Sequence, residues 1–138
     1  MAAVFQIHIL AADRTLYEGP CESITVPTTY GEQGILAHHS DMIAAVETGE
    51  LRYTVPGGKP QLVAVSPGLL KVEKGEVLVL VDTADLPEEI DENRAKRAAD
   101  AAKEEMLRKK SHQEYLSAQA HLARAINRMR VKRHNREI

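Results

Sequence analysis

The feature that most constrains the fold is a change of pattern at residues 82–95. All eight glycines and all six prolines lie within the first 87 residues. Before this stretch, apolar residues alternate with polar ones between Gly- or Pro-containing turns, which is typical of short strands. After it, apolar residues recur with a helical period of 3.6. The sequence therefore predicts a β domain over residues 1–85 and an α domain over residues 86–138.

In the β domain, alternation such as that of Phe5, Ile7 and Ile9 predicts strands with one buried face. The continuous apolar run 77–81 predicts a strand in the middle of the core. Short connections with no helix between the strands favour antiparallel pairing, because a parallel pair needs a long crossover. With one Phe and no Trp, we expect a core of Val, Ile and Leu. The predicted fold class is α+β, an N-terminal antiparallel β-sandwich of about 8–10 short strands followed by a C-terminal antiparallel two-helix hairpin.

Two capping signals delimit the predicted helices. Asp91 is a candidate N-cap for the first helix, and Ser111 with Glu114 forms a candidate capping box for the second, after a turn at 109–111. The apolar stripe of the first helix is rich in alanine, so the seam between the helices buries little apolar area. The predicted stripes are Ala95, Ala98, Ala99, Ala102 and Met106 on the first helix, and Tyr115, Ala118, Leu122, Ile126 and Met129 on the second. A hairpin with such a seam is weakly held and needs support from the sandwich, a ligand or another protein.

Charge is unevenly distributed, although the net charge is only -2 and the pI is near 6.3. Residues 82–92 are acidic and the last 15 residues are basic. This asymmetry suggests a basic tip that meets an acidic protein surface, and the alternative is two solvated helix ends. The lone Cys21 favours a reducing compartment. No apolar run is long enough to span a bilayer, so we expect a soluble chain whose tie to any membrane runs through a partner.

The sequence contains no catalytic constellation, so we expect no enzymatic activity of the chain alone. His38, His39 and Asp41 are potential metal ligands, but adjacent loop residues seldom converge on one ion, and a solvated or interface loop is the favoured alternative. Cys21 has no sequence context that would make it a nucleophile. We predict no required cofactor and no metal site.

Three arginines form a more specific pattern. Arg124 and Arg128 lie four residues apart on one helical face, and an antiparallel hairpin brings Arg94, at the start of the first helix, beside them. Several guanidinium groups around one point suit a polyphosphate. The alternative is an ordinary salt-bridged face that uses Asp91 and Glu92.

Several segments together resemble one known family. Residues 31–49, with Gly34-Ile35-Leu36 and His39, the order of β domain and helical hairpin, and residues 90–95 are similar to the ε subunit of bacterial F-type ATP synthases. The resemblance covers nearly the whole chain. It implies a non-catalytic subunit of the central rotor stalk on the cytoplasmic face of the bacterial cell membrane.

The resemblance also implies partners for each domain. The sandwich would bind the γ subunit and rest on the membrane c-ring, using residues that correspond to Glu32, Ile35, Leu36 and His39. The hairpin would be a two-state element that permits ATP hydrolysis when folded and inhibits it when extended into the α/β catalytic head. This chain has Ala37-His38 where many relatives carry Pro-Gly before the histidine.

Some bacterial relatives bind regulatory ATP in the folded hairpin, and this chain carries the corresponding residues: Ile90, Asp91, Arg94, Ala95, Arg124 and Arg128. It departs from those relatives at Asp85, where they can carry Glu, and at Ala101, where they can carry a further Arg. The alternative function is a free-standing β-sandwich binding module with a helical adaptor.

Overall fold

The computed structural model describes residues 3–108 and 111–138. The chain divides into two compact units between Ala84 and Asp85. The first unit is built of strands, and the second is helical apart from its first residues. Lys109 and Lys110, which belong to the predicted turn between the helices, lie outside the described residues.

The strands of the first unit are short and follow one another closely. Their bounds are β1 Phe5–Ala11, β2 Arg14–Cys21, β3 Ser23–Thr28, β4 Gly31–Ile35, β5 Met42–Val46, β6 Gly49–Thr54, β7 Pro60–Val65, β8 Gly68–Glu73 and β9 Glu76–Val81. A two-residue strand, β10 (Ala84–Asp85), covers the boundary between the units. Together with the two helices that follow, these ten strands confirm the predicted fold class, a β-sandwich before a helical hairpin.

Neighbouring strands pair in the order β7-β6-β3-β5-β8-β9-β1-β2, with β4 beside β3. These pairings are antiparallel, as predicted, except that β1 pairs with β9 in parallel, from Ile7 opposite Val77 to Ala11 opposite Val81. The prediction was wrong for this pair because short connections constrain only strands that are close in sequence. β1 and β9 are separated by most of the unit, so no short turn dictates their direction.

The core consists mainly of Val, Ile and Leu, as expected, and Ile7, Ile9 and Leu51 are fully buried. One expectation for this core was wrong. β9 does not lie in the middle of the core with both faces covered, since its residues alternate and Leu80 is 46% exposed. A continuous apolar run does not reveal whether both faces of a strand are covered.

Two tight turns of the β unit contain residues with positive φ. Gly57, between β6 and β7, has φ +73°. The β8–β9 turn places Lys74 at φ 51° and Gly75 at φ 80°, and positive φ at both central positions suits the twist of a two-residue hairpin.

Two capped helices form the second unit. A 3-10 turn at Pro87–Glu89 precedes α1 (Glu92–Arg108), and α2 covers His112–Glu137. The Asp91 carboxylate accepts a hydrogen bond from the Arg94 backbone N–H at 3.1 Å. The Ser111 hydroxyl accepts one from the Glu114 N–H at 3.0 Å. Both predicted N-caps are therefore confirmed.

The two helices pack against each other through small side chains, but not along the full predicted stripes. On α1, Ala95, Ala99 and Ala102 are buried, whereas Ala98 is exposed. On α2 the buried residues are Ala118, Ala125 and Val131, and the predicted Tyr115, Leu122, Ile126 and Met129 are only half-buried. Of the predicted α2 stripe, Ala118 is therefore buried as expected, whereas its larger residues are only partly covered.

Candidate functional site

Five of the six predicted nucleotide-binding residues line one cavity in the second unit. The cavity has a volume of about 330 Å³ and lies between the start of α1 and the C-terminal half of α2. Its lining residues are Asp85, Glu89, Ile90, Asp91, Arg94, Ala95, Ala98 and Arg128. The N-cap at Asp91 sets where α1 begins, and this places Arg94 and Ala95 in the first turn beside the cavity.

The sixth residue, Arg124, lines an adjacent groove of about 540 Å³ between the two helices. Ala98 and Arg128 line both the cavity and this groove, so the two spaces adjoin. Ala101 also lines this groove. The structure therefore assembles the predicted set around two adjoining spaces rather than one.

Charges of both signs face the cavity. Arg128 donates from Nε to Asp85 Oδ2 at 2.9 Å, and both side chains are about one third exposed. The Asp91 carboxylate caps α1, and the Arg94 side chain is exposed. A ligand with negative charge would therefore meet the guanidinium groups of Arg94 and Arg128, but it would have to share Arg128 with Asp85.

The pairing of Arg128 with Asp85 differs from the salt-bridged alternative that the sequence suggested. That alternative used Asp91 and Glu92, but Asp91 serves as the helix cap and Glu92 pairs with Arg133 and Arg136. Sequence spacing within a helix could not identify Asp85 as the partner, because the two residues are 43 positions apart. The sequence signal for this pairing was the contrast between the acidic stretch 82–92 and the basic C-terminus.

The chemistry of the cavity suits a polyphosphate attached to an apolar group. Guanidinium groups form paired, charge-assisted hydrogen bonds with phosphate oxygens, and the N-terminal end of a helix favours an anion. Ile90, Ala95 and Ala98 add apolar groups to the lining of the cavity. The arrangement thus offers cationic groups for phosphates and apolar groups for a ring.

The predicted partner-facing residues occupy β4 and the loop after it, in the first unit. The Glu32 carboxylate pairs with Arg52 at 2.7 Å, and Arg52 also contacts Glu50 at 3.0 Å. Leu36 is 65% exposed, whereas Ile35 is 1% exposed and belongs to the core. Ile35 therefore cannot offer its side chain to a partner, and the exposed apolar residue at this position is Leu36.

The same loop contains a residue in a left-handed conformation. His38 has φ 66°, and the His39 Nδ1 lies 2.7 Å from the Ser40 carbonyl oxygen. Glycine adopts such a φ without steric cost, whereas other residues adopt it only rarely. The resemblance places glycine at this position in many relatives, and His38 takes a glycine-like conformation in this chain.

The other candidate centres have no supporting geometry. Within residues 3–108 and 111–138, no group of three or more His, Cys, Asp or Glu side chains is arranged to hold a metal ion. Cys21 is buried, and burial raises the pKa of its thiol, which disfavours the reactive thiolate. None of the helices in the described part of the chain is long and apolar enough to cross a membrane.

Comparisons with known proteins identify the family and its two domains. The family model for the β-sandwich domain of the ATP synthase delta/epsilon chain matches residues 4–87, and the model for its long α-helix domain matches residues 88–133. The ATP synthase epsilon chain of Ruminiclostridium cellulolyticum is 39% identical, with 92% of this chain and 94% of the relative covered. That of Thioalkalivibrio sulfidiphilus is 37% identical, with 99% and 100% covered.

Solved structures share the fold. A chain in the cryo-EM structure of the Euglena gracilis mitochondrial ATP synthase, OSCP/F1/c-ring, superimposes with a TM-score of 0.77 at 24% identity, covering 89% of this chain and 78% of that one. The fold and the family matches are those of the ATP synthase epsilon chain, a structural, non-catalytic subunit. The chain belongs to the epsilon-chain family of F-type ATP synthases. Membership in this family argues against the alternative function, a free-standing binding module.

Proposed function

We propose that this chain couples transmembrane proton flow to rotary ATP synthesis as part of the central rotor stalk, and restrains ATP hydrolysis through its helical hairpin. Family membership supports a place in the ATP synthase complex. Within the complex, the β-sandwich contacts the γ subunit and the c-ring through the loop that carries Glu32, Leu36 and His39. The chain is thereby held, as a peripheral subunit, at the cytoplasmic face of the bacterial cell membrane.

The hairpin has the physical properties of a movable element. Its buried contacts are mainly alanines, Ala95, Ala99 and Ala102 on α1 and Ala118 and Ala125 on α2. Burial stabilises in proportion to apolar area, at about 25 cal/mol per Å², and alanine has little of it. The helices can therefore separate at modest cost, and the extended form reaches the α/β catalytic head.

Removal of the hairpin tests this proposal. A complex reconstituted with a chain that ends at Asp85 should retain coupled ATP synthesis, because the sandwich remains. Its ATP hydrolysis should be less inhibited than in the complex with the full chain, because no hairpin can enter the catalytic head. Hydrolysis rates measured on both complexes decide the point, and equal rates would contradict the inhibitory role.

We infer further that the folded hairpin binds ATP as a regulatory ligand. The observation that carries this inference is the cavity shared by Ile90, Asp91, Arg94, Ala95 and Arg128, with Arg124 in the adjoining groove. In this proposal, the guanidinium groups bind the phosphates, and the apolar groups contact the base. ATP would then favour the folded hairpin, since the cavity exists only when both helices are together.

The strength of this effect depends on affinity. A ligand that binds one state alone stabilises it by RT ln(1 + [L]/Kd), so millimolar ATP matters only if Kd is of that size or smaller. Asp85 competes for Arg128, and Ala101 supplies no charge to the groove. These two features predict weaker binding than in a site with a further arginine.

Calorimetric titration of the full chain with ATP tests the nucleotide site. We expect saturable heat at millimolar ATP or below, and Arg128→Ala should weaken binding by about tenfold through loss of a charge-assisted contact. Arg130→Ala is the matched control, because it removes the same charge from an exposed position of α2 outside both spaces. Ala101→Arg should tighten binding. Absence of heat and of any thermal shift at millimolar ATP would refute the site.

A further inference from the structure

Basic residues in the last turns of α2 form a continuous face toward the start of the second unit. Arg128, Lys132 and Arg136 are spaced by four residues, which places them on one side of the helix. The Lys132 ammonium donates to the Pro87 carbonyl oxygen at 2.8 Å, and Arg128 pairs with Asp85. The basic C-terminal segment therefore finds acceptors within the same unit.

The Glu92 carboxylate accepts hydrogen bonds from two arginines. Its Oε1 accepts from Arg133 Nε at 3.0 Å, and its Oε2 accepts from an Arg136 terminal nitrogen at 2.5 Å. The hydrogen bonds from Arg133 and Arg136 lower the pKa of this carboxyl. Each partner also stands at the favourable end of its own helix, with the acid in the first turn of α1 and the bases in the last turns of α2.

The opposite end of the hairpin has no comparable contact among the described residues. Arg108 pairs with Glu105 of its own helix, and Ser111 caps its own helix through Glu114. Leu107 is 79% exposed and Leu116 is 48% exposed. The ion pairs that join α1 to α2 in the described part of the hairpin are thus concentrated at its base.

We propose that Glu92 acts as a latch. The ion pairs of its carboxylate with Arg133 and Arg136 hold the base of the hairpin closed, and they make opening of the hairpin sensitive to ionic strength. These side chains are largely accessible to solvent, with Arg133 64% and Arg136 57% exposed. Salt screens exposed ion pairs, with a Debye length of about 10 Å at 0.1 M and about 3 Å at 1 M. The alanine seam contains no charge, so salt does not weaken it in this way.

The latch concerns the movable hairpin of the proposed function, but it does not depend on nucleotide binding. Opening of the base requires release of Glu92, whereas no ion pair joins the two helices at the far end in the part of the hairpin that the structure describes. The amides in the last turns of α2 should therefore be better protected from exchange than those near Leu116, and only the former should depend on Glu92.

Hydrogen exchange of the full chain without nucleotide, in about 20 mM and about 1 M salt, tests the latch. At low salt, Glu92→Gln should raise exchange at amides 128–136 by about threefold, the size expected for exposed ion pairs. At high salt the wild type should approach the variant. Arg130→Gln removes one positive charge from the same helix without touching Glu92, and it should leave these rates unchanged. Equal exchange in wild type and Glu92→Gln at low salt would overturn the proposal.

A double-mutant cycle distinguishes direct coupling between Glu92 and Arg136 from the independent effect of each charge on the dipole of its own helix. If Glu92 acts through Arg136, the combined variant Glu92→Gln with Arg136→Gln should exchange less rapidly than the product of the two single effects predicts. Additive effects would overturn the latch. Loss of ATP binding with intact coupling between Glu92 and Arg136 would count against the nucleotide site alone.

Discussion

At the scale of single residues, position 68 requires glycine because the backbone of the neighbouring strand lies very close to it. An unusual backbone conformation is not the reason. Gly68 begins β8 and pairs with Val81. A Cβ added to it would lie 2.0 Å from the Leu80 carbonyl oxygen and 2.7 Å from the Val81 Cα. Backbone atoms of a paired strand cannot withdraw as a flexible side chain can, so only glycine fits.

We therefore expect Gly68→Ala to destabilise the β unit by about 3 kcal/mol or more, the upper range for overpacking. Gly34→Ala is the matched control, because a Cβ at Gly34 has no neighbour within 4 Å. The control should change stability by less than about 0.5 kcal/mol. Urea unfolding followed by tyrosine fluorescence measures both, and equal midpoints for the two variants would contradict the steric argument.

At the scale of the helical hairpin, small residues form the contact between the helices along their length, and charged residues join them at one end. Alanines along α1 and α2 allow close packing but contribute little apolar burial, while Val131 is the largest buried side chain of α2. The charged contacts of Glu92 and Asp85 lie at the base. The hairpin therefore combines a seam that buries little apolar area with ion pairs at its base, and the proposed opening would have to break those ion pairs.

The lowered pKa of Glu92 predicts how acid affects the hairpin. A carboxyl whose pKa is lower in the folded state stabilises fully above its ordinary pKa of about 4.5, and this stabilisation is lost as pH falls through the lowered value. Thermal unfolding monitored by helical circular dichroism should therefore show wild type more stable than Glu92→Gln at pH 7. The two curves should converge as the pH falls below about 4.5. A difference that persists undiminished at pH 2 would show that Glu92 acts by other means.

At the scale of the whole molecule, function is divided between the two units. In the proposed function, the β unit contacts its partners through the loop with Leu36, which is exposed, His39 and the Arg52-paired Glu32. The helical unit contains the cavity and the latch. The family is that of a structural, non-catalytic subunit, and in the proposed function the chain influences ATP turnover through its position and its contacts.

Much of the fold could be predicted from hydrophobic periodicity and from local capping and turn signals. The break at residues 82–95, the alternation of Phe5, Ile7 and Ile9, and the caps at Asp91 and Ser111 depend on residues within a few positions of one another. Helical spacing indicated the three arginines, resemblance to a family added Ile90, Asp91 and Ala95, and five of these six residues line one cavity. Whether they bind a nucleotide stays a prediction.

The sequence by itself determined the order and type of the elements, because strand alternation, turn residues and helix caps are local properties of the chain. Only the tertiary structure decided which distant residues meet: the parallel pairing of β1 with β9, the exposure of Leu80 and the burial of Ile35. It also decided that Arg128 pairs with Asp85 and that Glu92 holds Arg133 and Arg136. These contacts join residues 41 to 44 positions apart, and no local pattern specifies which of several acids and bases approach within hydrogen-bonding distance.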